Sequence, residues 1–269
     1  ILAKFVFIIF ILFGFMVILN VGMHTIGYFM VPNNGNPMLI NGTLSGSDGT
    51  TIIQNPANND SKTIFRSNNQ VSGAEFTWSS WLFFNTTTYI DDDTLYHIFS
   101  KGDGKRSASN NNSDRYVKIS NAPGMYSTRD TEGNTILHIK MDVVNNDSSP
   151  EEVRIKKLPL KKWVHVTIRL QNKILDVYVN GVVSARKILD YVPKQNYHNV
   201  TVGGGSEAQG GFSGSISNLQ YFTHALTVFE INNIVMKGPN TNSSNLSSDS
   251  KANSGNYSYL ANQWYKTAS

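Results

Sequence analysis

The sequence contains no cysteine among its 269 residues. This absence excludes a disulfide framework, a thiol nucleophile and every metal site that needs thiolate ligands. It is also typical of proteins from a reducing compartment, although a domain of this size can fold outside the cell without disulfides. The length allows one sizeable domain with extensions at either end.

Charged residues are scarce as well. They make up 16% of the chain, and the formal net charge is only +4. The densest basic stretch is RIKKLPLKK, from Arg154 to Lys162. Such a cluster is typical of a solvated strand end or loop, with a phosphate- or headgroup-binding role as the alternative. No basic run is long enough to predict a nucleic-acid partner.

One segment near the N-terminus is apolar on every face. Phe5–Leu19 carries no charged or strongly polar side chain, and with residues 20–23 it reaches about nineteen residues, near the length of a bilayer-spanning helix. We therefore predict a transmembrane anchor with its flank over residues 1–31. A cleaved signal peptide is the alternative, but no small-x-small cleavage site follows closely. Lys4 precedes the span and the next lysine or arginine is Lys62, which favours a cytosolic N-terminus.

The remaining chain shows almost no helical periodicity. Residues 32–70 are rich in Asn, Gly, Ser and Thr, which predicts a polar spacer that contributes at most a first strand near its end. From 71 to 239, short apolar segments alternate with Gly and Pro turns, so we predict an all-β domain, a β-sandwich or jelly roll. Phe76–Phe84 (FTWSSWLFF) is apolar on both faces, which predicts a central strand.

The stretch from Trp163 to Gly181 (WVHVTIRLQNKILDVYVNG) predicts two consecutive hairpins. Apolar and polar residues alternate before and after a Gln-Asn-Lys interruption, as expected for two strands with one face in a core. The closing pair Asn180–Gly181 supplies the two positive-φ residues of a tight turn, and Val182 can begin the next strand.

One short helix follows the last strand of the predicted domain. Thr227 and Glu230 have the spacing of a capping box, and Lys237-Gly238-Pro239 ends the helix. Residues 240–269 then form a Ser- and Asn-rich tail with an aromatic end. This end predicts a docking segment for a partner, with packing against the parent domain as the alternative. Its docking residues would be Tyr257, Tyr259, Trp264 and Tyr265.

Three motifs, in this order along the chain, resemble the concanavalin A-like lectin/glucanase superfamily in its laminin G-like branch. They are FTWSSWLFF, the hairpin sequence WVHVTIRLQNKILDVYVNGVV, and FSGSISNLQYFTHALTVFEI, which runs from a strand into the short helix. The resemblance covers roughly Val71 to Gly238 and implies a concanavalin A-like sandwich. Gly214 within the third motif suits a bulge or a close approach of two backbones.

The same resemblance raises the question of catalysis. Glucanases of this superfamily place paired carboxylates on one strand, and no such motif occurs here. Glu75 stands alone, while Glu151 and Glu152 are neighbours whose side chains would point to opposite faces of a strand. His165 alternates with other strand residues and is expected to be packed rather than catalytic. We therefore predict that the chain is not an enzyme, and we name no catalytic residue.

Some relatives in this superfamily bind calcium and sugars through acidic loops. Asp91 and Asp93, with Asp103 after the next strand, are the matching candidates for hard oxygen ligands here. Successive acids in a loop are more often simply solvated, so we predict no metal and no cofactor, with calcium as the alternative. The residues that bind a ligand are not identified by the sequence.

These features together predict a non-catalytic, membrane-anchored structural or interaction protein. One setting is a minor virion protein that links an internal membrane to the capsid of a large DNA virus, since membrane-anchored laminin G-like proteins have a similar layout. The alternatives are a cell-surface location and a lectin-like domain that binds glycans. The expected partners are the lipid bilayer and other structural proteins of a large assembly.

Overall fold

The computed structural model describes residues 2–29, 36–58, 61–65, 67, 69–70, 73–85, 95–103, 120–130, 132–144, 150–204 and 211–244. Helices and strands within these ranges are, in chain order, α1 (Leu2–Phe29), β1 (Thr43–Ser45), β2 (Thr50–Ile52), β3 (Asn69–Gln70), β4 (Gly73–Phe84), β5 (Tyr96–Lys101), β6 (Gly124–Arg129), β7 (Thr135–Met141), β8 (Glu151–Leu158), β9 (Trp163–Gln171), β10 (Ile174–Val179), β11 (Val182–Ile188), β12 (Val200–Val202), β13 (Gly214–Phe222) and α2 (Val228–Lys237).

The strands form two antiparallel sheets that pack face to face. The first sheet has the order β1-β13-β4-β9-β10-β11, with β3 paired to β4, and the second has the order β2-β12-β5-β6-β7-β8. A single large cluster of buried apolar side chains from both sheets forms the core between them. The predicted all-β sandwich is therefore confirmed.

Strand β4 lies in the middle of the first sheet, between β13 and β9. Its inward side chains include Phe76, Trp78 and Leu82, all nearly or fully buried, and its outward face is also largely covered. Burying each such side chain contributes roughly 1.5–3 kcal/mol. Coverage on both faces explains why this strand lacks the usual alternation of polar and apolar residues, and it confirms the predicted central strand.

The predicted consecutive hairpins are present as β9, β10 and β11. Asn172 in the first turn has a φ of 56°, and Asn180 and Gly181 in the second have φ values of 49° and 82°. Two successive positive φ values define the tight turn that matches the twist of antiparallel strands. A Cβ on Gly181 would lie 2.3 Å from Oδ1 of Asn232, an exposed side chain that would have to shift to accommodate it.

Helix α2 covers part of the outer face of the first sheet. Its N-cap is Thr227, which completes a capping box with Glu230, and the helix ends at Gly238, as the sequence predicts. Ile231 is buried against Tyr178 and Phe222 in a second, smaller apolar cluster. The outer face of this sheet is therefore partly interior, which accounts for the buried polar groups described below.

The sandwich takes in residues that the sequence assigns to the spacer and to the tail. Strands β1 and β2 lie within 32–70, and Leu39 and Ile40 are fully buried. Residues 240–244 run alongside β1, where the amide of Thr43 donates to the carbonyl of Asn242 at 2.7 Å. Strands β1 and β2 have three residues each and contribute few side chains to the core. Their polar composition therefore does not predict that they pair with the sandwich.

Helix α1 belongs to a compact unit separate from the sandwich. Its side chains are described continuously only from 10 to 22, and the large apolar ones between Phe10 and Leu19 are 45 to 71% exposed. Over the part of the chain that the structure describes, no helix combines the length and the hydropathy required to cross a membrane.

Candidate functional site

The connection between β11 and β12, called here the 189–199 segment, is a long loop that is closely held to the sandwich. Main-chain and side-chain hydrogen bonds fix it at several points along its length. They join Val144 N to Val192 O (2.8 Å), Lys194 N to Asp142 O (2.8 Å), Gln195 Nε2 to Ser67 Oγ (2.9 Å) and Asn196 Nδ2 to Lys101 O (3.0 Å). The loop is therefore pre-organised.

This rigid loop exposes large side chains. Tyr191 and Val192 are more than half exposed, and Tyr197 is 85% exposed. Phe65, from the connection before β3, is also exposed and lines the same cavity as Tyr197. We call Phe65 and Tyr197, which line one cavity, together with Tyr191 of the same loop as Tyr197, the exposed aromatic surface. Tyrosines held on a rigid frame are typical anchors of binding interfaces because little conformational entropy is lost when they are covered.

Between the two sheets, next to this loop, lies a cavity of about 150 Å³ that we call the interlayer cavity. Its walls combine strand residues from both sheets with the 189–199 segment. The lining residues are Ile64, Phe65, Phe76, Trp78, Lys101, Ala122, Gln195, Asn196, Tyr197 and Tyr221. Most of this lining is aromatic or apolar, and a few polar groups converge on it, which is the usual composition of a small-molecule site.

Trp78 forms part of the cavity wall and is only 2% exposed. Its ring stacks on Phe99 and meets the edge of Tyr221, with both centroid distances at 5.1 Å. The buried Nε1–H has no hydrogen-bond partner among the residues that the structure describes. A buried donor without an acceptor costs about 1–3 kcal/mol, and few are found in folded proteins.

Lys101, at the end of β5, is 6% exposed and brings a positive charge to the same cavity. Its Nζ donates to the carbonyl of His198 and, at 3.4 Å, to Oδ1 of Asn196. Burial lowers the pKa of Lys101 to about 8. No carboxylate in the described ranges forms an ion pair with it, so the charge is held by neutral acceptors only.

The outer face of the second sheet carries a polar network. His138 contacts Oε1 of Glu152 at 2.5 Å through Nδ1 and Oγ1 of Thr128 at 2.7 Å through Nε2, and Arg154 donates to Oε2 of Glu152 at 2.9 Å. Burial alone would raise the pKa of Glu152, but the bonds from His138 and Arg154 bring it down to about 2. The hydrogen-bonding groups of this network are therefore paired with one another.

A second polar cluster lies on the outer face of the first sheet. Asp176 is fully buried between two arginines, with Arg186 Nε at 2.6 Å and Arg169 Nη1 at 3.0 Å from its oxygens. Arg169 also donates to the carbonyl of Leu226, which ties the start of α2 to the sheet. This buried charge is therefore compensated.

His165 is packed on the same face, as expected from the sequence. Its Nε2 lies 2.8 Å from Oγ of Ser79, and its ring meets Trp81 edge-on at 5.1 Å. Burial lowers the pKa of His165 to about 4, so the imidazole is neutral near pH 7. Its contacts hold strands together, and it faces away from the interlayer cavity because its neighbours Val164 and Val166 belong to the core.

The remaining acids singled out from the sequence are also held by contacts within the sandwich. Glu75 accepts hydrogen bonds from Nε2 of Gln171 and the amide of Ala225, both at 3.4 Å. Glu151 approaches Lys187 at 3.2 Å, on the opposite side of β8 from Glu152. Glu75 lies in the first sheet and Glu151 in the second, and each is held by its own contacts.

The other predicted site residues are only partly described. Asp103 follows β5, and its Oδ1 accepts from the amide of Ser120 at 3.3 Å. Asp91 and Asp93 lie outside the described residues, as do Tyr257, Tyr259, Trp264 and Tyr265. In the described ranges no group of three or more His, Asp or Glu side chains is placed to hold a metal ion.

The sequence pattern does not predict a functional role for Lys101, Trp78 or the 189–199 segment. Trp78 lies within FTWSSWLFF, whose pattern predicts a central strand and no site, and Lys101 lies outside every motif named from the sequence. One sequence feature could have indicated the loop as a binding surface: it contains two tyrosines in a stretch of low hydropathy between strands. The convergence of Tyr197 with Trp78 depends on contacts across more than 100 residues, which periodicity does not show.

Comparison with protein families gives a match to the model described as the concanavalin A-like lectin/glucanases superfamily, over residues 56–232. This match covers more than half of the chain and includes the cavity walls and the 189–199 segment. A comparison with curated proteins gives no match.

Solved structures with a similar fold include receptor-binding domains of botulinum neurotoxin and a pentraxin. One neurotoxin C/D mosaic domain has a TM-score of 0.47 and 12% identity, covering 76% of this chain and 45% of that one. Another has a TM-score of 0.43 and 14% identity, covering 61% and 36%. This chain thus spans less than half the length of these domains.

The native heptameric SAP-like pentraxin from Limulus polyphemus has a TM-score of 0.40 and 17% identity, covering 79% of this chain and 87% of that one. The strand order, the buried central strand and the family match agree with the resemblance noted in the sequence. This chain belongs to the concanavalin A-like lectin/glucanases superfamily.

Proposed function

We propose that this chain is a non-catalytic interaction protein, held at a membrane, whose sandwich binds a partner through the exposed aromatic surface. The observation that carries this proposal is the 189–199 segment, which is fixed by hydrogen bonds and still leaves Tyr197 85% exposed. A rigid loop with uncovered tyrosines loses little entropy on binding, so its affinity for a partner is favoured.

The state of the described carboxylates supports a non-catalytic role. Glycoside hydrolysis needs two carboxyl groups facing one substrate, separated by about 5–10 Å. Asp176 is held by two arginines, Glu152 by His138 and Arg154, and Glu151 and Glu152 lie on opposite sides of β8. Each acid is committed to a contact that stabilises the sandwich.

Photocrosslinking tests the binding surface directly. We would place a benzophenone amino acid at Tyr197 and, as a matched control, at Lys156 on the exposed side of β8. The proposal predicts a crosslinked partner from position 197 in the native membrane or particle, and none from position 156. Equal crosslinking from both positions, or none from 197, would reject the exposed aromatic surface.

Membrane attachment is the second part of the proposal. It is supported by the uninterrupted apolar sequence of Phe5–Leu19 and by the exposure of the large apolar side chains between Phe10 and Leu19. Extraction of membranes with alkaline carbonate tests it. The full chain should stay in the membrane fraction. Its release into the soluble fraction would contradict the proposed membrane anchor.

The setting that we propose is the interface between a virion membrane and its capsid, with the cell surface as the alternative. The absence of cysteine and the order of apolar segment, sandwich and aromatic-ended tail support it. Removing residues 245–269 tests the tail while keeping 240–244, which pair with β1. Incorporation into the assembly should fall while the sandwich stays folded, and unchanged incorporation would exclude the tail as a tether.

Glycan binding is the second candidate function. It is favoured by membership of a superfamily that includes lectins and by the exposed tyrosine rings, on which sugars can stack. A glycan array, run with and without calcium, should compare the wild type with Tyr197→Ala and with the control Ile188→Ala. Binding lost only in Tyr197→Ala would favour the lectin role, and absence of binding to every glycan would leave a protein partner.

A further inference from the structure

We propose that the interlayer cavity binds a small organic anion, with a planar apolar body about the size of a benzene ring and one carboxylate group. This inference concerns the space between the sheets and does not depend on which partner covers the exposed aromatic surface. Its basis is the meeting of three features in one cavity: aromatic walls, a buried ammonium group and a buried indole donor.

The size of the cavity sets the size of the ligand. A volume of about 150 Å³ equals that of an engineered apolar cavity in another protein, which stays dry when empty and binds benzene. A single six-membered ring with one short substituent matches this volume.

The walls select the shape. Phe76, Trp78 and Tyr221 line the cavity from the first sheet, and their rings already pack against one another in tilted and edge-on arrangements. Aromatic rings prefer such offset and edge-on contacts with a further ring over a face-to-face arrangement. A planar ligand would extend the existing packing without moving the core.

The charge of Lys101 selects an anion. A buried ammonium is stable only when it is paired or well hydrogen-bonded, and here its described acceptors are a carbonyl and an amide oxygen. Two of its three N–H donors are engaged, so one remains for a ligand. The pKa of Lys101, lowered by burial, agrees with a cation that lacks a counter-ion.

The donor of Trp78 distinguishes a ligand site from a structural lysine. If Lys101 served only to fasten the 189–199 segment, its bonds to Asn196 and His198 would be sufficient, and the unpaired Nε1–H of Trp78, whose side chain lines the same cavity, would have no explanation. A carboxylate has two oxygens that each accept a hydrogen bond, so it supplies acceptors both for an indole donor and for the remaining donor of the ammonium. A phosphate dianion would need more donors than these two.

The test uses benzoate as the probe and benzyl alcohol as its neutral counterpart of similar size, both titrated into the full chain by calorimetry. Benzoate should bind more tightly, by about tenfold or more, because only the anion gains the contact with Lys101. Lys101→Met should remove this preference while leaving the affinity for benzyl alcohol within about twofold of the wild type. The matched control Lys156→Met, at an exposed site, should leave both affinities unchanged.

A spectroscopic readout keeps the proposal testable if Lys101→Met does not fold. The indole N–H resonance of Trp78, assigned by its loss in Trp78→Phe, should move downfield when benzoate is added to the wild type and much less with benzyl alcohol. Equal responses to both probes would mean that the cavity recognises apolar volume only. No response to benzoate at millimolar concentration would overturn the site itself. The exposed aromatic surface shares Phe65 and Tyr197 with the cavity lining and is tested separately, by crosslinking from position 197.

Discussion

Two buried polar regions of this sandwich differ in how their charges are satisfied. On the outer face of the first sheet, beneath and beside α2, Asp176 is matched by Arg169 and Arg186. In the interlayer cavity, the ammonium of Lys101 has no ion-pair partner and the indole of Trp78 no acceptor among the described residues. Asp176, Lys101 and Trp78 are all buried, so burial of these side chains alone does not explain the difference.

The first region contains polar groups that are paired within the fold and stabilise it. The second contains polar groups that, in the proposed site, are paired by a ligand. A buried charge that is fully paired contributes little net stability, but removal of one partner is strongly destabilising because it leaves the other uncompensated. Donors left unpaired in a cavity already weaken the folded state, so removing one should change stability little. Substitutions in the two regions should therefore have unequal effects.

The largest effect is expected for Asp176→Asn. The substitution removes the negative charge from between Arg169 and Arg186, so the folded state should lose about 3–5 kcal/mol. Urea unfolding, with circular dichroism as the signal, measures this loss. Asp190→Asn, at an exposed position, should change the free energy of unfolding by less than about 0.5 kcal/mol. Equal losses in the two variants would contradict a structural role for the Asp176 cluster.

His165 should make the stability of the sandwich depend on pH. Its pKa is about 4 in the folded chain against 6.5 in the unfolded chain, so the unfolded state takes up the proton first as the pH falls. The stabilising contribution is thus complete above pH 6.5 and is lost between 6.5 and 4, by on the order of 3 kcal/mol.

This contribution is measured as the difference between the wild type and His165→Gln in urea unfolding across that pH range. The exposed His198→Gln serves as the control, and its curve should run parallel to that of the wild type. A constant difference between wild type and His165→Gln at all pH values would show that His165 is not buried in its neutral form.

A smaller loss is expected when the cap of α2 is removed. The Thr227 side chain accepts from the amide of Glu230 at 3.3 Å, and the Glu230 side chain accepts from the amide of Thr227 at 2.7 Å. Thr227→Ala should cost about 1 kcal/mol, whereas Thr227→Ser should restore the wild-type stability because serine caps equally well. Thermal unfolding of the three proteins would show a loss confined to the alanine variant.

The smallest change is expected for Trp78→Phe. The smaller ring loses some packing, but the substitution also removes an unpaired buried donor, so the net loss should stay below about 1 kcal/mol. The comparison is Tyr126→Phe on the second sheet, where the hydroxyl donates to Asn121 at 2.6 Å and its removal should cost about 1–2 kcal/mol. A larger loss for Trp78→Phe would indicate that the indole donor is satisfied in solution.

The sequence predicts the parts of this fold that depend on local pattern. Asn180–Gly181 and the Thr227 capping box act over two to four residues, and the apolar run of β4 reflects its burial on both faces. The candidate site could not be predicted in this way. Trp78, Lys101 and Tyr197 meet only because β12 pairs with β5 and the two sheets then pack together, so the cavity is a property of long-range pairing.

The central claim is that Lys101 is a buried cation that lacks its anion, and its pKa tests this most directly. Nuclear magnetic resonance of the lysine side chains can follow the titration of Lys101, assigned by its absence in Lys101→Met. The account predicts a pKa of about 8 in the free chain, raised by saturating benzoate and unaffected by benzyl alcohol. A pKa near the ordinary lysine value of about 10.4 in the free chain, unchanged by benzoate, would contradict it.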